Sequence, residues 1–202
     1  MEIALGATTT SRVRCGAAVL VPVGSTGQHD PRLPLDTDTE LAVAVAEAAA
    51  KLLRRRRIDV VVAPAVAYGA PGRHPQADGS LTTSTPVLQA LLVDLARSAR
   101  SWAERVVFLT GHDGNVGAVE RAVAQLRSEG MLASSAVRLL ENPAAPADNR
   151  MKTSVMLHLR PWRFRSGRDR AASSEEGREL LDLVAWHVAQ EILGSHGVGT
   201  PL

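Results

Sequence analysis

Ala17-Ala18-Val19-Leu20-Val21-Pro22-Val23-Gly24 is the stretch on which the architecture of this chain turns. Residues 17–23 carry no polar side chain, the pattern of a strand covered on both faces, and Gly24 ends the run. Doubly covered strands belong to parallel sheets, whose connections are long and usually helical. The downstream sequence supplies such connections. Thr39 to about Arg56 has helical composition, with Thr37 or Asp38 at the N-cap position. Ile58–Ala63 repeats the apolar run and stops at Pro64. Pro86, after Ser84 and Thr85, opens a helix reaching about Ala103, and Arg105–Leu109 is the third apolar run. A helix from about Val116 to Ser128 ends at Gly130, a C-cap residue, and another strand lies near Leu132–Leu139. Thr153–Leu159 is apolar but too short to assign to helix or strand, whereas Glu175–Leu193 reads as a closing amphipathic helix. The expectation is an α/β protein: one domain over residues 1–202, a mainly parallel sheet flanked by helices, with 160–202 a variable C-terminal segment.

Composition narrows the function classes. The chain has 202 residues, 45% of them hydrophobic but only 3% aromatic, so the core must be built from Ala, Val and Leu. Lys and Arg total 23 against 21 Asp and Glu, a balance of +2 that does not suggest a nucleic-acid binder. Lys51 and Lys152 are the only lysines, and the one cysteine, Cys15, excludes an intrachain disulfide framework. No apolar run reaches the roughly 20 residues of a membrane span, and no signal pattern opens the chain. A cytoplasmic protein without nucleic-acid or membrane partners is expected.

Ligands of open parallel sheets collect at the carboxyl ends of the strands. Past the first strand stand His29, Asp30, Asp36 and Asp38; past the third stand His112 and Asp113. Imidazole and carboxylate are the ligand pair of zinc, iron or manganese, and three such ligands with an open water position would polarise an amide. The plainer reading is that Asp36 and Asp38 cap a helix and the histidines are loop residues. Gly24, Gly111 and Gly114 read as residues permitting tight turns, since neither a dinucleotide fingerprint nor a P-loop occurs. No GxSxG element supports a serine hydrolase. His158 reads as a packed or interface residue, and His187 and His196 as solvated ones. The 18-residue polar loop from Tyr68 to Thr85 is longer than compact domains keep without a purpose, and it carries His74.

Four segments together resemble the creatininase (creatinine amidohydrolase) family. Residues 21–38, VPVGSTGQHDPRLPLDTD, resemble a family signature reading roughly PvGsxEQHGpHLPlxTD. Residues 110–115, TGHDGN, resemble NGHGGN; residues 63–69 with Arg73 and His74 resemble a substrate-side loop; residues 151–161 resemble an (E)TSxxLxLxP segment. The wording is closest to a peptide-cleaving branch of the family. The resemblance implies a creatininase-like α/β fold, a binuclear metal site and a homo-oligomer. Carried over by position, His29, Asp38 and His112 match metal ligands.

Other positions depart from the pattern. The signature glutamate falls on Gly27, and the glutamate before Thr-Ser falls on Lys152; Asp30 and Asp113 replace glycines. Three ligands carry too little negative charge to hold two dications side by side. Three arrangements are therefore expected to compete. His29, Asp38 and His112 hold a single metal; or Asp30, Asp113 or Asp148 supply substitute carboxylates; or the Lys152 ammonium fills part of the vacancy by pairing with Asp38 or Asp113, and no metal is needed. The function expected is a metal-dependent amidohydrolase or peptidase that cleaves a C–N bond in a small cyclic amide or short peptide, with His74 orienting substrate or donating a proton. The alternative is a metal-depleted relative that keeps the pocket for binding, assembly or different chemistry.

Overall fold

The computed structural model describes residues 2–28, 33–72, 77–137, 149–163 and 172–196. Among the described residues, four strands form one parallel sheet: β1 (Ala17–Pro22), β2 (Val60–Val62), β3 (Ala103–Thr110) and β4 (Leu132–Val137). Their order is β2-β1-β3-β4. Helices α1 (Thr37–Arg55), α2 (Thr85–Ala99) and α3 (Asp113–Ser128) make the connections, and α4 (Arg150–Leu159) and α5 (Ser174–His196) follow. The expected α/β class and parallel sheet are thus present. All six residues of β1 are buried, as a central strand requires.

Alternation along β1 divides the core in two. Ala18 and Leu20 face a layer made by α1, α4 and α5, while Val19 and Val21 face α2 and α3. Helix α1 buries Leu41, Ala42, Val45, Ala46, Ala49, Ala50 and Leu53, a stripe at three- and four-residue spacing. Four of these seven are alanines, so the helix can lie close to the sheet. Phe108, wholly buried in β3, is the one aromatic ring among the described buried residues of the second layer, and the partly buried Trp102 packs against them. On the outer side of β2, the Val62 amide donates to the Ile3 carbonyl at 2.9 Å, so the N-terminal segment covers that edge.

Several boundaries differ from the sequence reading. Helix α2 ends at Ala99 rather than Ala103, which already belongs to β3. Described β4 ends at Val137, and residues 138–139 lie outside the described residues. Thr153–Leu159 is helical: Val155, Met156 and Leu157 pack into the α1–α5 layer. The C-cap role of Gly130 is realised, with φ at 77° and the following Met131 amide donating back to Leu126. His158 is half-buried on α4, and His187 is exposed with its ring edge-on to Trp186, in line with the expectations for both.

Helices α4 and α5 meet through Gly177, where a β-carbon would stand 1.9 Å from the Ser154 carbonyl oxygen. Ser154 Oγ donates to Glu176 at 2.7 Å beside it. Gly177→Ala is expected to force the helices apart and cost about 1–3 kcal/mol. Thermal melting should fall by about 2–4 °C per kcal/mol for a chain of this size; an unchanged melting temperature would contradict this packing.

Candidate functional site

The sheet order places β1 and β3 side by side at its centre, with connections leaving them toward opposite edges. That crevice at the carboxyl ends is where open α/β sheets bind ligands. The chain past β1 leads through Ser25 and Thr26 to the first turn of α1; the chain past β3 leads through Gly111 and His112 to the start of α3. Asp38 and His112 therefore converge, and α4 delivers Lys152 to the same point.

Asp38 is the centre of the cluster and its side chain is wholly buried. Lys152 Nζ donates to Asp38 Oδ1 at 2.9 Å and to the Gly111 carbonyl at 3.0 Å. Ser25 Oγ donates to Asp38 Oδ2 at 3.1 Å, and His112 Nδ1 lies 2.9 Å from the same oxygen. The far nitrogen of the ring, Nε2, is 3.1 Å from the Ala70 carbonyl. Buried charge is tolerated when it is paired and hydrogen-bonded, and Asp38 is both. It does not act as a helix cap: Asp36 occupies the N-cap position of α1 without a side-chain cap bond, and Thr37 Oγ1 donates to the Pro34 carbonyl at 2.6 Å.

Two residues outside the expected site set build its walls. Asn115, wholly buried, accepts from the Ala70 amide at 2.8 Å and donates to the Gly24 carbonyl at 2.8 Å and Thr110 Oγ1 at 3.2 Å. One amide thus ties together the loops after β1, β2 and β3. Its signal was its place in the TGHDGN segment. Ser25 lay in the first quoted segment, but nothing in the sequence distinguished its hydroxyl as a carboxylate donor. Gly114 is needed for space rather than for a turn: a β-carbon there would lie 2.4 Å from the Pro71 carbonyl oxygen and 2.8 Å from His112 Nε2. At Gly24, too, space is limiting, since a β-carbon there would lie 2.1 Å from Thr39 Oγ1; among the described glycines, only Gly16, Gly79 and Gly130 take a left-handed φ.

The rim is basic and partly apolar. Arg163 donates to both carboxylate oxygens of Asp36, at 2.7 and 3.0 Å, and these bonds hold its guanidinium above its ordinary pKa against partial burial. Arg160 pairs with Glu40 at 3.1 Å and lies 5.6 Å from the ring centre of the exposed Trp162. Leu81 bridges to Thr26, bringing the loop after residue 76 against the start of the first segment. Asp113 is the first residue of α3 and half-buried. His29, Asp30, His74 and Asp148 lie outside the described residues.

The metal expectation can be tested on the donors in place. Both oxygens of Asp38 are engaged by other donors, both nitrogens of His112 face oxygen atoms, and an ammonium already sits on the carboxylate. Among the described residues no group of three or more His, Cys, Asp or Glu is placed to hold a metal ion. As arranged, these donors suit an ammonium and do not fit a pair of dications.

Comparison with known proteins gives a consistent picture. The sequence profile described as creatinine amidohydrolase matches residues 7–191. The mycofactocin precursor peptide peptidase of Mycobacterium tuberculosis (strain CDC 1551 / Oshkosh) is 42% identical over 175 residues, covering 84% of this chain and 69% of that protein. The protein of the same name from Mycolicibacterium smegmatis is 45% identical over 144 residues, 71% of this chain and 58% of its own length. Among solved structures, a mutant creatininase complexed with creatine matches with a TM-score of 0.78 at 18% identity, covering 96% of this chain and 99% of that one. A manganese creatininase matches at 0.76 and 17% identity, covering 96% and 99%; these likenesses show the fold.

Removing the Asn115 amide leaves the Ala70 amide and the Gly24 carbonyl without their partner. Asn115→Ala should destabilise the chain by about 1–3 kcal/mol, read as a lower urea midpoint. Faster amide exchange at Ala70 should accompany it; protection unchanged at that amide would show that Asn115 does not hold the loop.

Proposed function

Because the chain belongs to the creatinine amidohydrolase family, we propose that it hydrolyses an amide C–N bond in a short peptide of the mycofactocin-precursor kind, bound at the crevice between β1 and β3. The single observation that carries this is the 42% identity, over 84% of the chain, to proteins named for that peptide. A small cyclic amide is the lesser candidate, since it rests on structural relatives at 18% identity. No described helix is long and apolar enough to cross a membrane. Homo-oligomeric assembly and a cytoplasmic setting belong to the same proposal.

In this reading, substrate enters beside Lys152 and His112, whose side chains are 12% and 14% exposed and so form the reachable part of the cluster. Asp38 fixes the orientation of the His112 ring through Nδ1, and Asn115 fixes the depth of the crevice. Hydrolysis places hydroxide on the acyl carbon and a proton on the departing amine. A fixed cation beside the carbonyl oxygen stabilises charge developing there. We assign the proton-handling roles to His29, His112 and His74, with Asp38 acting through the His112 ring it orients.

A second reading is favoured by one contact. With the Lys152 ammonium 2.9 Å from the Asp38 carboxylate, the crevice also suits a protein that binds the peptide without cutting it. Incubating the purified chain with a synthetic precursor peptide separates the two by mass spectrometry and calorimetry. Fragments that disappear by about 10²–10⁴-fold in His112→Ala support hydrolysis. Binding without fragments supports the second reading, and neither binding nor cleavage overturns both.

A further inference from the structure

We infer that Lys152 is the resident cation of this crevice: its ammonium occupies the position a bound dication would need and keeps the Asp38 cluster metal-free. The inference stands on the geometry around Asp38 and is independent of which peptide, if any, the chain cleaves.

Three observations carry it. First, Asp38 is wholly buried, and a buried carboxylate requires a cation close by. Lys152 Nζ supplies one at 2.9 Å and spends another hydrogen on the Gly111 carbonyl at 3.0 Å, so it is held from two sides. Second, Lys152 is the third residue of α4, in the first helical turn, where the helix dipole disfavours positive charge. Asp38 is the second residue of α1, where the dipole favours negative charge. The lysine sits against its own helix's field, and Asp38 offsets that. Third, the described donors that touch Asp38 are turned inward: Ser25 and His112 Nδ1 converge on Asp38 Oδ2, and His112 Nε2 faces the Ala70 carbonyl. A dication reaching Asp38 Oδ1 would meet the ammonium within contact distance, and like charges so close strongly oppose one another.

The segment after β1 accords with this. Among the described residues, a β-carbon at Gly27 would meet the Ser80 side chain, with Oγ at 3.3 Å, so Ser80 would have to shift by a few tenths of an ångström. Ser80 Oγ is buried without a hydrogen-bond partner among the described residues and is the group a longer side chain there would engage. Gly27 brings no carboxylate to the segment that leads from β1 to α1, and Lys152 leaves the Asp38 carboxylate without need of a metal.

The test reads metal, not turnover. The native chain, purified without chelator and titrated with zinc, then with manganese, should hold substoichiometric metal, and its melting temperature should be the same with and without EDTA. Gly27→Glu combined with Lys152→Glu exchanges a cation for two carboxylates. It should bind one equivalent of zinc at least about a hundredfold more tightly than the native chain, with a melting temperature that rises on zinc addition. Lys152→Met removes the ammonium while keeping much of the stem; it should lower the native melting temperature, and Asp38→Asn in the same chain should restore part of the loss. A native chain that binds a full equivalent of zinc, lost in Asp38→Asn, would overturn the inference. So would a Lys152→Met chain as stable as the native one. Because the native titration needs no variant, misfolding of the double variant leaves the question decidable, and failure to cleave peptide bears only on the function proposed above.

Discussion

The crevice depends on one carboxylate taken wholly out of water. Asp38 can be buried because Lys152, Ser25 and His112 each bring a polar atom within about hydrogen-bonding reach of its two oxygens. Those partners arrive from three separate parts of the chain, so the ionic cluster is also a tertiary clasp. It joins the start of α1, the start of α3 and the start of α4. Removing Lys152 leaves the buried Asp38 carboxylate uncompensated, which is more costly than losing the contact itself, whereas removing the Ser25 hydroxyl costs a hydrogen bond.

Around that clasp the fold is built from small side chains. Ala42, Ala46, Ala49 and Ala50 let α1 lie near the sheet, and the other layer places Ala118 and Ala122 of α3 in the same role. With few aromatic rings, close approach of backbones replaces bulk as the means of filling space. The same economy operates in the crevice, where Gly114 leaves room for the His112 ring and Asn115 spans the gap between three loops.

The sheet was legible because burial on both faces leaves a local mark: Ala17–Val23 and Ile58–Ala63 have few or no polar side chains to place. The layer to which each residue turned followed from simple alternation. Residues 153–159 were not legible, since a run of seven with five apolar or β-branched residues is too short to tell one period from the other; contact of Val155, Met156 and Leu157 with α1 and α5 selects the helix. The site was half visible. Asp38 and His112 stood out by chemistry and by the likeness of their segments to a known signature. The choice of Asp38 as the lysine's partner depends on the placement of α4, which no local pattern encodes. Asn115 lay in plain sight within a quoted segment, but an amide that ties loops together has the same letter as one that faces water.

The 114 residues separating Asp38 from Lys152 set an order on biosynthesis. A ribosome adding about 5–20 residues per second delivers the lysine roughly 6–23 s after the aspartate. During that interval the nascent α1–β2–α2–β3 segment can dock its apolar faces, yet the aspartate must keep its hydration shell. Closure of the crevice is thereby reserved for the last part of synthesis, and a chain halted before α4 carries a hydrated anion at the mouth of its half-finished sheet.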